Sequence, residues 1–206
     1  MNTNSRTFGK GDVEVMLRSE CHDGFLRVER LQLRHRLFSG AWSDAIIREL
    51  QLKEPAVGIL LFDPQRDVLL LVRQFRVGML EEQCGPWPLE IVAGMVSKGE
   101  QLEEVALRES QEESNCVPTD LVEICTYYNS PGTSNEKVHL YCGRINSEGA
   151  GGVYGLADEH EDIEVVPVDY DYAVQAMNAG VINNAMSIIA LQWLQLNKQD
   201  LLNNWK

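Results

Sequence analysis

The sequence predicts a mixed α+β fold in which a small antiparallel β domain precedes a larger domain of strands and segregated helices. Three observations predict it. Residues 12–50 alternate apolar and polar side chains, residues 55–75 contain two apolar runs separated by a turn, and helical periodicity is confined to residues 101–114 and to the last part of the chain. We place the domain boundary between residues 53 and 54, and we expect the polar first six residues to be frayed.

The N-terminal strands carry few large apolar residues. Their alternating apolar positions are Val13, Val15 and Leu17 in one segment and Leu26, Val28, Leu31 and Leu33 in the next. A sheet built from so few large side chains is thin and needs a partner surface. This is the first indication of a homodimer.

The second domain begins with a predicted hairpin, AVGILLF and VLLLVRQF, whose turn starts at Asp63-Pro64. Four further strands are predicted at PLEIVAG, LVEICTYY, VHLYCGRI and IEVVPV. The Gly- and acid-rich residues 146–162 form the longest predicted loop. Two helices, roughly 170–179 and 183–197, close the chain, and Gly180 suits the end of the first.

Composition restricts the function classes. The net charge of −13 argues against nucleic-acid and anionic-membrane partners, which require basic patches, but it does not exclude a metal-dependent enzyme acting on phosphates. No apolar run reaches membrane-spanning length, and the N-terminus has no apolar leader, so we expect a cytoplasmic protein. The five cysteines are odd in number and lack CxxC spacing, which predicts reduced, mostly buried thiols.

The predicted helix at 101–114 changes character along one face. At 100° per residue, its core-facing stripe contains Leu102, Val105, Ala106, Glu109 and Glu113, with Glu112 at the edge. Buried carboxylates need compensation, and oxygen-rich clusters suit Mg²⁺ or Mn²⁺. The alternative is a solvated acidic face, which is the usual explanation of a charge run.

The spacing of polar residues across residues 94–116 resembles a known motif. The residues that carry the resemblance are Gly94, Glu100, Arg108, Glu109, Glu112 and Glu113, in the order G-x5-E-x7-R-E-x-x-E-E. This resembles the Nudix box, G-x5-E-x7-R-E-U-x-E-E-x-G-U, where U is a bulky aliphatic residue. Three positions depart from the box: Ser110, Asn115 and Cys116. Asn tolerates the left-handed conformation better than other non-Gly residues, so the helix can still end at Asn115.

The resemblance extends over nearly the whole chain. The segments FGKGDVEV, LRHRLFSG, PWPLEIVAGM, SPGTSNE, GLADEHEDIEV and NNAMSIIALQWLQL are similar to those of bacterial ADP-ribose pyrophosphatases. That family implies a Nudix fold, an α/β/α sandwich with a mixed sheet, preceded by a small β domain that is exchanged across a homodimer. It implies Mg-dependent cleavage of ADP-ribose to AMP and ribose 5-phosphate, with Mn²⁺ possible. The alternatives are hydrolysis of another nucleoside diphosphate sugar or dinucleotide, or a catalytically silent ADP-ribose-sensing module.

The resemblance also implies site residues. The metal ligands would be the backbone carbonyl of Ala93, Glu109 and Glu113, with Glu112 a further candidate. Arg108 would orient these carboxylates, and Glu100 would pair with Arg108 or another structural group. The base for the attacking water would be Glu161, while the same acidic loop also offers Glu159 and Asp162.

Substrate-binding residues are implied in the same way. They are Phe25, Arg48, Glu49, Arg76, Ser130, Gly132 and Glu136. The two arginines match phosphate- and adenine-side positions, with surface ion pairing as the alternative. Phe25 matches an adenine-stacking position supplied by the partner subunit, with core packing as the alternative. The other loop residues match the segment that holds the terminal ribose, where Glu136 could accept hydrogen bonds from sugar hydroxyls.

Overall fold

A computed structural model describes residues 7–205, so the predicted fraying of the first six residues lies outside the described part of the chain. Contacts divide the chain into two compact units. The first comprises the chain up to Lys53 together with Tyr128–Glu136, and the second comprises Glu54–Tyr127 and the chain from Lys137 onward.

The first unit is a three-stranded antiparallel sheet. Its strands are β1 (Val13–Asp23), β2 (Arg27–His35) and β3 (Ile46–Leu52), in the order β1-β2-β3. In the described part of this unit, Leu31 is the one buried apolar side chain. The predicted thinness of this sheet is therefore confirmed.

The second unit contains eight strands in one sheet. They are β4 (Ala56–Asp63), β5 (Val68–Arg73), β6 (Leu89–Glu90), β7 (Val92–Met95), β8 (Asp120–Tyr128), β9 (Lys137–Arg144), β10 (Gly152–Tyr154) and β11 (Ile163–Asp169). The order is β10-β11-β5-β4-β9-β8, with β6 beside β5 and β7 beside β4. Because β4 runs parallel to β9 and antiparallel to β5, the sheet is mixed.

Helices cover both faces of this sheet. They are α1 (Leu102–Ser114), α2 (Tyr170–Asn178) and α3 (Ala185–Asn204). Side chains of β4 alternate between the faces: Ile59 joins the cluster packed with α1, and Leu60 joins the cluster packed with α2 and α3. Strands buried on both faces consist of nearly continuous apolar residues, as in AVGILLF. The expected α/β/α sandwich is confirmed.

Three predicted elements need correction. PLEIVAG forms two short strands, because the backbone N–H of Ile91 leaves the ladder and donates to the Ser187 hydroxyl at 3.0 Å. The predicted loop 146–162 contains β10, which pairs with the start of β11. Helix α3 continues past residue 197 to Asn204, and the buried side chains of Leu201 and Trp205 lie at its end.

The prediction of mostly buried thiols is wrong. All five cysteines are free, but only Cys142 is buried, while Cys21 and Cys84 are exposed. Cys21 lies on the thin N-terminal sheet, which has little core to bury it.

Within residues 7–205, no helix is both long and apolar enough to cross a membrane.

Asp63 at the end of β4 closes the turn to β5. Its side chain is fully buried, and one oxygen accepts the backbone N–H groups of Gln65 and Arg66. The other oxygen accepts both the backbone N–H and the hydroxyl of Ser147, at 2.8 and 2.7 Å. Burial alone would raise the pKa of Asp63, but these hydrogen bonds outweigh it and lower the pKa to about 2.

We expect Asp63→Asn to reduce the free energy of unfolding at pH 7 by about 2 kcal/mol, because the amide would turn its own N–H group toward donors. A carboxylate with a depressed pKa stabilises the fold above its unfolded pKa, and this contribution disappears as pH falls from about 4 to 2. Urea unfolding should therefore show a smaller difference in stability between the native protein and Asp63→Asn at pH 3 than at pH 7. Glu148→Gln, at an exposed partner of Arg66, is the control. Equal stability of the Asp63 variant at pH 7 would contradict this account.

Candidate functional site

Helix α1 is fixed at both ends by backbone geometry. Gln101 is its extended N-cap residue, and the Glu104 carboxylate accepts the Gln101 N–H at 3.3 Å. The helix ends at Asn115, which adopts the left-handed conformation with φ of 52°. The predicted helix end at Asn115 is therefore confirmed.

The core-facing side of α1 changes from apolar to acidic as predicted. Val105 and Ala106 are fully buried, and Glu113 on the same face is only 3% exposed. A solvated acidic face does not describe a carboxylate buried to this degree. The departure at Ser110 also fits the core, since its buried hydroxyl donates to the Ala106 carbonyl at 2.7 Å.

Arg108 connects three carboxylates around the start and middle of α1. Its guanidinium lies 3.1 Å from Glu100, 2.8 Å from Glu109 and 3.0 Å from Glu112. Burial opposes its charge, but the neighbouring carboxylates outweigh burial and raise the pKa of Arg108. Glu100 in turn accepts the backbone N–H of Ser97 at 2.8 Å, which with Arg108 lowers the pKa of Glu100. Arg108 therefore lies in contact with three of the acidic side chains.

Glu113 is the most deeply buried acid of the cluster. One oxygen accepts the backbone N–H of Ala93 at 3.2 Å, and the other lies 3.5 Å from the Gln74 amide nitrogen. Burial raises the pKa of Glu113 to about 8; the Ala93 N–H and Arg76 lower it, and the charges of Glu109 and Glu161 raise it further. Glu113 is thus a carboxyl group with too little positive charge nearby.

The charge of Glu161 acts on both helix carboxylates. Burial raises the pKa of Glu109, Arg108 opposes that rise, and Glu161 adds to it, as it does for Glu113. The Glu161 carboxylate accepts the backbone N–H of Leu156 at 3.0 Å, which folds the loop before β11 back on itself. Gly155, at φ of 106°, allows this fold, since a Cβ there would come within 2.6 Å of the Glu161 Cβ.

The donor chemistry of this cluster fits a divalent cation. Within residues 7–205, no three acidic, histidine or cysteine side chains are gathered closely enough to hold a metal as they stand. The Ala93 N–H bonds to Glu113, and Arg108 bonds to Glu112. Still, Glu109 and Glu113 are one helical turn apart, and burial raises the pKa of both. A hard cation with oxygen ligands would compensate this buried negative charge.

Gly94 in β7 allows the close approach of Glu109. A Cβ at Gly94 would overlap the Glu109 carboxyl group, although the backbone there accepts any residue. We expect Gly94→Ala to displace Glu109 and to lower kcat/KM about 100-fold while the protein remains folded. Steady-state kinetics and thermal unfolding would check this, with Gly11→Ala as the control, since a Cβ there meets nothing. Unchanged activity would show that the position of Glu109 does not matter.

Two buried polar residues were not predicted as site residues. Gln74 and Glu90 are both buried, and Glu90 accepts a hydrogen bond from the Arg76 Nε at 2.7 Å. The ion pair that was the alternative for Arg76 is therefore present. A signal for Glu90 was available, because it is the one charged residue within the apolar run PLEIVAG.

The predicted substrate residues of the first unit lie at different places in its sheet. Phe25, between β1 and β2, is 95% exposed, so the alternative of core packing does not hold. Glu49 pairs with Arg30 at 2.8 Å across β2 and β3. The neighbouring Arg48 donates only to the Ile47 carbonyl, and it has no carboxylate within ion-pair distance in the described part of the chain.

The remaining three predicted residues share the segment that follows β8. The Ser130 carbonyl accepts the N–H groups of Thr133 and Ser134, which forms a tight turn around Gly132. A Cβ at Gly132 would meet no atom within 4 Å. The Glu136 carboxylate lies 2.7 Å from Lys53 and accepts the Asn129 amide at 2.8 Å. The structure therefore brings these residues together in one ordered turn.

Comparison with known proteins agrees with this geometry. The NUDIX domain family profile matches residues 52–178. An ADP-ribose pyrophosphatase of Haemophilus influenzae is 41% identical over 202 residues, which cover 97% of this chain and 93% of that protein. The ADP-ribose pyrophosphatase of Escherichia coli K12 is 41% identical over 199 residues, which cover 97% of this chain and 95% of that protein. A GDP-mannose pyrophosphatase of Cronobacter sakazakii is 31% identical over 159 residues, with 72% and 78% covered.

A solved structure described as an ADP compounds hydrolase superposes with a TM-score of 0.73. The alignment covers 95% of this chain and 98% of that chain, at 19% sequence identity. At this identity the likeness shows the fold alone.

Proposed function

The chain belongs to the NUDIX family, and we propose that it hydrolyses the pyrophosphate bond of ADP-ribose to AMP and ribose 5-phosphate, using Mg²⁺, in the cytoplasm. Hydrolases of this family generally need a divalent metal. The observation that carries the proposal is the burial of Glu113 beside Glu109, on a helix face that would otherwise be apolar. The names of the 41% identical relatives support ADP-ribose as the substrate.

Each residue of the cluster has a role in this proposal. Glu109 and Glu113 would hold the metal, with Glu112 and the Ala93 carbonyl as further ligands. The bound cation would supply Lewis acidity and neutralise charge on the pyrophosphate. Glu161 would accept the proton of the attacking water. Arg108 would keep Glu109 and Glu112 in place through its contacts at 2.8 and 3.0 Å.

The substrate contacts follow from the chemistry of the remaining residues. Arg76 and Arg48 are cations suited to phosphate oxygens. The exposed ring of Phe25 offers a stacking surface for an adenine base, in a partner subunit's site, and the adjacent Glu49 offers an acceptor. Glu136, with Ser130 and Gly132, would accept and shape hydrogen bonds to the terminal ribose.

Hydrolysis of ADP-ribose in ¹⁸O-labelled water with Mg²⁺ tests the function directly. We expect AMP and ribose 5-phosphate as products, with the label on one of them, and no reaction in EDTA. GDP-mannose belongs in the same assay, because one relative is named for that activity. Poor cleavage of ADP-ribose beside rapid cleavage of GDP-mannose would overturn the substrate. Tight binding of ADP-ribose without any hydrolysis would indicate the sensing module instead.

We also propose that the chain forms a homodimer through its N-terminal sheet, with that unit exchanged between subunits. Apolar side chains of this unit stay about half exposed, among them Val13, Val15, Leu17 and Ile47. Leu17 and Ile47 both pair with Gln32, so they lie on the same face of the sheet. A three-stranded sheet with one buried apolar side chain needs a further surface to be stable.

We expect sedimentation to give about twice the 23.2 kDa mass of one chain at micromolar concentration. Leu17→Glu combined with Ile47→Glu should shift the protein toward the monomer, because charges would enter a desolvated interface. Val181→Glu, at an exposed valine of the second unit, is the control. A monomeric native protein would contradict the dimer.

A further inference from the structure

Arg76 is a positively charged residue close to Glu113, which the proposed function requires to bind a metal cation. It follows β5 two residues after Gln74, whose amide lies 3.5 Å from Glu113. The Arg76 charge is close enough to Glu113 to lower its pKa. In the described part of the chain, however, the guanidinium makes its one ion pair with Glu90, at 2.7 Å. Arg76 therefore lies within electrostatic reach of Glu113 without being bonded to it.

Glu90 is well suited to hold Arg76. Its side chain is only 10% exposed, and β6 places it in register with Val72 of β5. The backbone N–H of Arg76 also donates to the Pro86 carbonyl at 2.8 Å, so both ends of the residue are fixed. The hydrogen bond to Glu90 uses Nε, which leaves both terminal guanidinium nitrogens for other acceptors.

An arginine released from Glu90 would be free to pair with another carboxylate within its reach. Glu113 is such a group, since it is buried and its hydrogen-bond donors are neutral N–H groups from Ala93 and Gln74. Arg–carboxylate pairs are strong when desolvated. A new Arg76–Glu113 pair would occupy oxygens that the proposed metal needs.

We propose that Glu90 is a positioning residue that keeps Arg76 from pairing with Glu113, so that the Glu113 carboxylate stays available to a divalent cation. This inference rests on the proposed metal-dependent function. Glu90 would touch neither the metal nor the substrate and would act only through Arg76.

Mn²⁺ binding without substrate tests the inference, measured by the electron paramagnetic resonance signal of the free ion. We expect Glu90→Gln to weaken Mn²⁺ binding about tenfold, because the neutral amide holds Arg76 less strongly. Adding Arg76→Gln to Glu90→Gln should restore the native affinity to within about twofold, because the competing cation is gone. Glu90→Asp retains the charge and should stay closer to the native protein than Glu90→Gln does.

The controls separate this role from a general structural one. Glu164→Gln removes the acid of a comparable pair, Arg73–Glu164 at 2.8 Å, and should leave Mn²⁺ binding unchanged. Thermal unfolding confirms that each variant is folded. Native affinity in Glu90→Gln, or a loss that persists in the double variant, would overturn the inference. Failure of the native protein to bind Mn²⁺ would instead contradict the proposed function itself.

Discussion

Glu113→Gln is expected to lower kcat for ADP-ribose hydrolysis by about three orders of magnitude, because the amide keeps the shape of the side chain but removes the charge that would hold the metal. The Ala93 N–H can still donate to the glutamine oxygen, so the local packing is preserved. Steady-state kinetics at saturating Mg²⁺ would measure the loss. Glu103→Gln, at an exposed position in the first turn of the same helix, is the matched control.

The same variant should gain stability when metal is absent. A carboxyl group whose pKa is raised to about 8 by burial favours folding at low pH and opposes it as pH rises through the range from about 4 to 8. Metal-free Glu113→Gln should therefore unfold at a higher temperature than the native protein at pH 8, and at a similar temperature at pH 4. Lower activity together with lower stability at pH 8 would indicate a damaged core instead of a lost ligand.

Glu161→Gln is expected to lower kcat by about 100- to 1000-fold while KM changes little, because the residue would act on the attacking water and not on the bound pyrophosphate. The glutamine oxygen can still accept the Leu156 N–H, so the loop before β11 keeps its fold. Mn²⁺ binding, measured without substrate, should stay close to that of the native protein.

Glu159→Gln is the comparison that decides the base. Glu159 lies two residues away and is exposed, in the 3₁₀ turn Ala157–Glu159. The Glu159→Gln variant should retain nearly the kcat of the native protein. A larger loss in Glu159→Gln than in Glu161→Gln would reverse the assignment, and native turnover in both variants would exclude both glutamates as the base.

The features with a strong local period could be predicted from the sequence. The apolar stripe of α1 predicted which carboxylates face the core, because residues four apart share one helix face. Asn115 was expected to end that helix, and its left-handed backbone confirms it. The α/β/α sandwich was implied by the family resemblance, and the apolar clusters on either side of β4 confirm it.

What the sequence could not show depends on contacts between distant segments. Glu90 and Arg76 are 14 positions apart and meet only because β6 folds back beside β5. Gln74 approaches Glu113 across 39 positions, and no local pattern indicates such a contact. The break at Ile91 was hidden for the same reason, since its partner is the hydroxyl of Ser187 on α3. Periodicity identifies faces, but it does not identify partners.

The N-terminal unit recruits Tyr128–Glu136 from the middle of the chain, so it is not a contiguous module. The chain crosses between the two units at three places, which are the peptide bond after Lys53 and the two ends of the segment Tyr128–Glu136. Deleting the first 53 residues would therefore leave the recruited segment without Gln51 and Lys53, to which it bonds. Shuffling the N-terminal part between relatives requires exchanging both pieces together, and a chimera that exchanges only one should express poorly.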